Sequence, residues 1–529
     1  MNSDEQIEVA PKRRTGTSWQ LAHTHQYLLL SFSLGILSLG ISIWELKVTN
    51  VLSFYDSGTY LAGSMNLING VLPYRDFTFV QPPGILLILS PVALLGKVFW
   101  SHGAFLLGRI LTALVSALNV GILAWLLRER GRIAMLIGAL GLALLPVGAL
   151  ETASIKLEPY CLFFILVASI VLLRESSSKS ELPSRTLFIG GLLFGVAGLI
   201  KIFAFLPFLA MVIALYPNNR RRVMTFIGAA GTGFVVLASP FFIASPRDFT
   251  SEVLIEQLFR KSSSGETMGV IQRLIAMVGL SGTWLSSHVV AIAIPLTAAA
   301  LFALVTYLRP PGHTSLDSFF LWASIFTVTG LLTAAQFINY YGYFSVPFLL
   351  GTFGIVVNRL SERLGWSIER LPVSSSVRRL TTAIAGATLM LLAFSLALYT
   401  TTYYSNLSRV HGFHVPAVAP VTKLIPAGAC VIYDNVGIGI TADRWPSSLP
   451  NCPHVIDPYG LWLAWGYHLI PAAPAFTAEW RSYFERAQFV VLGLPRSNVI
   501  PWNHGLHSWF AANYHLIYGT YPTYIYAKN

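Results

Sequence analysis

Apolar runs long enough to cross a bilayer recur along most of this chain, and that recurrence leaves few ways to fold it. With 54% of 529 residues hydrophobic and only 11% charged, a water-soluble globule of this length would lack the polar surface to cover itself. A span needs roughly 20 apolar residues. About eleven such runs stand near 28–48, 103–127, 133–150, 159–173, 186–200, 202–216, 223–244, 286–307, 317–335, 341–357 and 380–402. The expected fold is an all-α polytopic membrane protein.

The net charge of +12 does not point to nucleic acid, because the basic residues form no stripe with interleaved aromatics. They sit in short clusters between the apolar runs: Arg128, Arg130 and Arg132, then Arg174, Lys179 and Arg185, then Arg220 to Arg222, Arg309, and Arg359 to Arg379. If the N-terminus is inside, every one of these falls on the inside, as the positive-inside rule requires. The run after Pro83, GILLILSPVALLGKVFW, would invert that order if it crossed, so it is expected to lie along the outer interface. The N-terminal stretch is polar, then basic at Lys12 to Arg14, with no cleavage-site pattern, so the first span is expected to remain as an anchor.

An odd number of spans leaves residues 403–529 outside. Their composition is that of a soluble domain: ACVIYDNV, QFVVLGL and TYIYAK read as strands, AEWRSYFERA and HGLHSWFAANY as helices. The expected organisation is a cytoplasmic tail at 1–27, a membrane domain at 28–402 whose first outer loop (49–102) holds interfacial helices, and a small extracytoplasmic α/β domain at 403–529. Cys430 and Cys452 both lie in that domain, where oxidising conditions permit a disulfide, two free thiols being the alternative. Cys161 lies in a span. No Cys/His spacing suggests zinc, and no Gly-rich phosphate loop, HExxH or GxSxG motif occurs.

The first loop reads FYDSGTYLAGSMNLINGVLPYRDFTFVQPPG. An acid just past a span (Asp56), an Arg-Asp pair (Arg75, Asp76) preceded by Tyr74, and a Pro82-Pro83-Gly84 turn make an expensive grouping at a membrane face. The pattern resembles the first loop of the GT-C glycosyltransferases, in particular those similar to protein mannosyltransferases and aminoarabinose transferases. The resemblance implies transfer of a sugar from a polyprenyl-phosphate donor, with inversion, to a saccharide, lipid or protein acceptor on the outer face. It makes Asp56 the leading catalytic acid. Many such enzymes carry a Lys before the Pro-Pro pair, where this chain has Gln81.

Such chemistry needs a base for the acceptor and positive charge near the departing phosphate. In the second outer loop, ETASIKLEPY, Glu158 stands where similar enzymes place a second acid, there commonly an Asp; it is read as a contact to the acceptor or to a divalent cation, or as a helix N-terminal cap. Glu151 is a weaker second. Basic residues that break the topological pattern are donor-phosphate candidates: Arg75, Lys201, and the Arg260-Lys261 pair of the long loop 245–273, with Lys156 in the same group. Arg109, deep in a span, either binds phosphate or holds the first loop. Lys201 could equally snorkel to the interface. Tyr340 and Tyr341 read as an aromatic belt, and Asp434, Asp443, Arg444 and Asp457 as fold or turn residues. No cofactor is assigned, a divalent cation being the one candidate. Membrane lipids are expected partners and nucleic acid is not. The expected location is a bacterial plasma membrane, N-terminus cytoplasmic and C-terminus extracytoplasmic. A lipid-linked saccharide flippase and a catalytically inactive assembly partner are the rival readings.

Overall fold

The first helix, Thr17–Val48, is built inside out. Ser31, Leu34, Ser38, Ser42 and Glu45 are buried at three- and four-residue spacing, while Leu28, Leu29, Phe32, Ile36, Leu37 and Ile43 are exposed. In water that arrangement would be unfavourable; in hydrocarbon it places polar groups against protein and apolar groups against lipid. The helix Val223–Ala244 likewise exposes Val235, Val236, Phe242 and Ile243.

The computed structural model describes residues 17–48, 55–99, 101–152, 154–173, 182–220, 222–259, 268–280, 315–369, 418–447, 449–465 and 474–529. Among these, five helices are long and apolar enough to cross a membrane: Thr24–Leu46, Gly103–Arg130, Val223–Ala244, Ser315–Thr333 and Asn339–Glu362. Shorter apolar helices occupy Gly84–Val98, Arg132–Leu144, Glu158–Leu173, Ser184–Ile200 and Ile202–Pro217. The predicted spans near 286–307 and 380–402 lie outside the described residues, as do Arg260 and Lys261; each remaining predicted span falls on helix. The span expected at 133–150 is broken: Leu145 is extended before Pro146 (ψ 141°), and a separate helix runs Pro146–Thr152. The residue before a proline is driven out of the α region, so the sequence carries the reason.

The first loop is more ordered than its Gly and Pro content suggests. It contains a helix, Tyr55–Leu67, and the apolar helix Gly84–Val98. Tyr74 takes a positive φ of 69°, a sparsely populated conformation for a non-glycine residue. It is held there by burial, by donation from its hydroxyl to the Gln81 carbonyl (2.6 Å) and by an edge-on contact with Phe249.

The C-terminal domain carries a four-stranded sheet of order β1-β2-β4-β3, with β1 Val431–Tyr433, β2 Phe489–Leu492, β3 Tyr514–Thr520 and β4 Thr523–Lys528. The β1/β2 pair is parallel and the other two pairs are antiparallel. The three predicted strands are present; β3 was not anticipated, because the helix His504–Asn513 runs directly into it. Cys430 and Cys452 form a disulfide.

At the end of the helices away from the first loop, Asp317 is fully enclosed and accepts from Arg130 (2.7 Å) and Arg359 (2.6 Å). One carboxylate thereby joins two of the basic clusters. Removing it leaves two partly buried cations without their anion. Asp317→Ala is expected to destabilise the protein by about 3 kcal/mol or more, read as a lowered Tm in detergent; an unchanged Tm would show that the pairs are screened.

Candidate active site

Three chain breaks bring the site together. The helix Ser184–Ile200 stops at Lys201, whose backbone is extended (φ −150°, ψ 127°) before a 3-10 turn at Ile202–Ala204. That break turns a lysine inward where a continuous helix would carry it past. Gly84 of the Pro-Pro-Gly turn packs on the same break: a Cβ there would lie 2.6 Å from the Leu199 carbonyl oxygen. The turn therefore seats the first loop directly against the Lys201 corner. A second 3-10 turn, Asn339–Tyr341, supplies two tyrosines.

At the centre are two lysine–carboxylate pairs. Lys156 Nζ lies 2.5 Å from Asp56 Oδ2, and Lys201 pairs with Glu158 Oε1. Both lysines and Glu158 are buried, whereas a quarter of the Asp56 side chain reaches solvent. Each ammonium also sits over an aromatic ring, Lys156 over Tyr340 at 3.8 Å and Lys201 over Tyr341 at 4.2 Å. The Tyr340 hydroxyl donates to Asp56 Oδ2 at 3.0 Å. Tyr340 and Tyr341 thus face the lysines at this site rather than standing only as a belt. Glu151 is fully enclosed beside Glu158.

Burial alone would raise the Asp56 carboxyl. The Lys156 charge and hydrogen bond, with the Tyr340 hydroxyl and the more distant Lys201, outweigh it and hold Asp56 below the usual carboxylate range. Asp56 is ionised and, while Lys156 grips it, a weak base.

The C-terminal domain is locked to this loop. Tyr55, next to Asp56, donates to Asp457 Oδ1 (2.7 Å) and accepts from the Tyr459 backbone NH (2.9 Å), and Asp457 also caps the helix Pro458–Ala464 through the Gly460 NH. Gly58 packs on the Gly437 backbone, a Cβ being 2.5 Å from its nitrogen, and Trp445 donates to Asn66. Between loop and domain lies a cavity of about 130 Å³, lined by Asp76, Thr78, His454, Asp457, Tyr483 and Arg486 among others. Burial lowers the His454 imidazole. The segment after Ala244 straps the loop from the other side: Glu252 accepts from the Phe79 NH (2.7 Å) and Gln257 donates to the Val80 carbonyl. Burial raises the Glu252 carboxyl to about 8.

The structure thus brings together Asp56, Lys156, Glu158 and Lys201. It does not bring Arg75 to them: the guanidinium, half-exposed, closes on neighbouring Asp76 at 2.7 Å. Arg109 donates to the Leu46 carbonyl at 3.3 Å, joining two membrane helices. Asp434 accepts from the Gly493 NH, and Arg444 donates to the Ile425 and Thr422 carbonyls, both roles internal to the fold. Sequence reasoning missed Tyr55 and the second use of Asp457, since the partners are some 400 residues apart. Among the described residues no group of three His, Cys, Asp or Glu side chains could hold a metal. Glu158, the candidate cation ligand, is instead met by the Lys201 ammonium group, so the residues present do not fit a divalent ion.

The sequence profile of glycosyltransferase family 87 matches residues 79–335. The fold is similar over 97% of this chain and 98% of its own length to ArnT from Cupriavidus metallidurans bound to undecaprenyl phosphate, with 15% identity and a TM-score of 0.58. The chain is a membrane glycosyltransferase with the GT-C fold. It is also similar to the archaeal oligosaccharyltransferase AglB from Archaeoglobus fulgidus, in complex with an inhibitory peptide and a dolichol-phosphate. That similarity covers 94% of this chain and 74% of the other, with 13% identity and a TM-score of 0.54. No curated protein matches in sequence.

For this glycosyltransferase the Lys156 grip predicts a pH profile. Because Asp56 is held low, its ionised form persists until pH falls below the usual carboxylate range. Lys156→Gln removes the main stabilising charge, so the acid limb of kcat/KM, which reports the free enzyme, is expected to move to higher pH. An acid limb that stays in place would detach it from Asp56.

Proposed function

We propose that this enzyme transfers a sugar from a polyprenyl-phosphate donor to an acceptor hydroxyl at the outer face of the membrane, with inversion. The observation that carries the reading is the pair of buried lysines held against Asp56 and Glu158 where the first loop meets the membrane helices. The similarity to a fold solved with undecaprenyl phosphate and to one solved with dolichol-phosphate supports the choice of donor.

The donor phosphate, in this reading, lies against Lys201 and Lys156. As Lys156 turns toward the phosphate it loosens its hold on Asp56, whose basicity rises when it is needed. Asp56 takes the proton of the acceptor hydroxyl while the acceptor oxygen attacks the anomeric carbon. The bond from that carbon to the phosphate oxygen breaks with its electron pair, and the two ammonium groups offset the charge that gathers on the leaving phosphate. Glu158 holds Lys201 in place. The cavity between the first loop and the C-terminal domain, with acids at Asp76 and Asp457 and donors at His454 and Arg486, suits a hydroxyl-rich acceptor. Arg75, paired at the surface, is a weaker phosphate candidate than its sequence position suggests.

A flippase would also need many spans and buried cations, but its charges should line a path through the bilayer centre. Here the paired acids and lysines gather at the loop end of the helices, which favours chemistry at the membrane surface.

Asp56→Asn keeps the shape and loses the proton acceptor, so transfer is expected to fall by roughly 10²–10⁴-fold, measured as sugar-dependent release of polyprenyl phosphate by purified protein. Near-normal release would remove Asp56 from the mechanism. Lys201→Ala is expected to raise the donor KM and lower kcat, both by more than Arg75→Ala does. Steady-state kinetics in which Arg75→Ala has the larger effect would move the phosphate site to the surface pair.

A further inference from the structure

The helix that carries Asp56 starts one residue before it, at Tyr55. The first turn of a helix has backbone NH groups with no partner inside the helix, so its placement depends on what its side chains reach. Here they reach in two directions. Ser57, fully buried, accepts from the Ile155 NH at 3.0 Å and donates to the Ile155 carbonyl at 3.3 Å, and Lys156 is the next residue. Tyr55 and Thr59, one turn apart, reach the C-terminal domain instead. The Tyr55 hydroxyl donates to Asp457 Oδ1 at 2.7 Å and accepts from the Tyr459 NH at 2.9 Å, while the Thr59 hydroxyl reaches the Ile456 carbonyl at 3.4 Å.

Successive residues of an α-helix point about 100° apart around its axis. Tyr55 and Ser57 flank Asp56 on its two sides, so pinning both fixes the rotation of the turn and with it the direction of the Asp56 carboxylate. The stretch 456–459 also touches the second group that grips this carboxylate. Gln336 donates to the Tyr459 hydroxyl at 2.9 Å, and the turn Asn339–Tyr341 just beyond it carries Tyr340, which donates to Asp56 Oδ2. Asp457 is itself well held: it is 7% exposed and accepts from the Gly460 NH at 2.8 Å as the cap of its helix.

We propose that Tyr55 and Asp457 are positioning residues for the transfer: through their hydrogen bond the C-terminal domain sets the direction in which Asp56 meets the acceptor hydroxyl. The inference rests on the reading that Asp56 is the base. A tie that served only to dock the domain would be redundant here, because Gly58 already packs on the Gly437 backbone and Trp445 already donates to Asn66. What the Tyr55 hydroxyl adds lies at the residue next to Asp56. Its acceptor, Asp457, also lines the cavity between loop and domain, so one carboxylate borders the proposed acceptor and orients the proposed base.

The test uses Tyr55→Phe in the purified full-length protein, a change that keeps the ring and removes the hydroxyl. The assay is release of undecaprenyl phosphate from undecaprenyl-phosphate-linked sugars, with an envelope-lipid extract as acceptor. The kcat is expected to fall by about 10- to 100-fold, as for a misplaced reacting group, while donor KM, undecaprenyl phosphate binding and Tm keep their wild-type values. Asp457→Ser keeps a helix cap but is too short to reach Tyr55. It should lower kcat to a similar extent and also raise the acceptor KM, and the double variant should have a kcat no lower than the slower single, since the same bond is lost in each. In an Asp56→Asn background Tyr55→Phe should have no further effect, because a residue that acts through Asp56 has nothing left to orient. A wild-type kcat in Tyr55→Phe, or an effect that persists in full in the Asp56→Asn background, overturns the proposal. Near-normal release by Asp56→Asn alone would instead sink the assignment of the base. If Tyr55→Phe does not fold, Asp457→Ser carries the same comparison in both backgrounds.

Discussion

Two ion pairs, Asp56 with Lys156 and Glu158 with Lys201, are the constraint on which the rest of this structure depends. Both lysines and Glu158 are buried and Asp56 largely so; taking such charges out of water is costly, and their mutual attraction repays it only where geometry and further contacts are good. The surrounding architecture supplies those conditions. A helix breaks at Lys201, a Pro-Pro-Gly turn seats on the break, and two tyrosine rings cap the ammonium groups. Breaking either pair would strand a charge, so the Lys201 break, the Pro-Pro-Gly turn and the Asn339–Tyr341 turn are coupled through charge as well as through packing.

The same pairs set the chemistry. A carboxylate gripped by an ammonium group is a poor base, so in the proposed reaction Asp56 becomes effective only when Lys156 is released, while Lys201 stays anchored on Glu158. In that reaction an arriving phosphodiester would offer Lys156 a competing anion, so that donor binding and base activation would become one event.

Much of this could be read from the sequence because its signals are local. Apolar runs mark helices whatever they pack against, and the basic clusters mark one end of them; Arg130 and Arg359 do meet there, on Asp317. Asp56, Glu158 and Lys201 were each legible as charges at the ends of apolar runs, where a charge needs a reason. Their pairing was not. Nothing local says that Lys156 answers Asp56 a hundred residues earlier, or that Tyr55 reaches Asp457 across most of the chain. Arg75 shows the opposite failure: a basic residue beside an acid in a polar loop satisfies itself at the surface. β3 was hidden for a third reason, since Tyr514 ends a helix and begins a strand with no turn residue between them.

The C-terminal domain bears on the site through a single side chain more than through its bulk. Asp457 accepts from the hydroxyl of Tyr55, whose backbone neighbour is Asp56, and the same carboxylate caps the helix Pro458–Ala464 and lines the cavity. A group bound in that cavity could therefore alter Asp457, and through Tyr55 the start of the helix that carries Asp56, without touching Asp56 itself. The strap from Glu252 and Gln257 fixes the opposite edge of the loop at Phe79 and Val80. The first loop is thus held at both edges. Within it Tyr74 keeps its unfavourable conformation, held by burial, by its hydrogen bond to the Gln81 carbonyl and by its contact with Phe249.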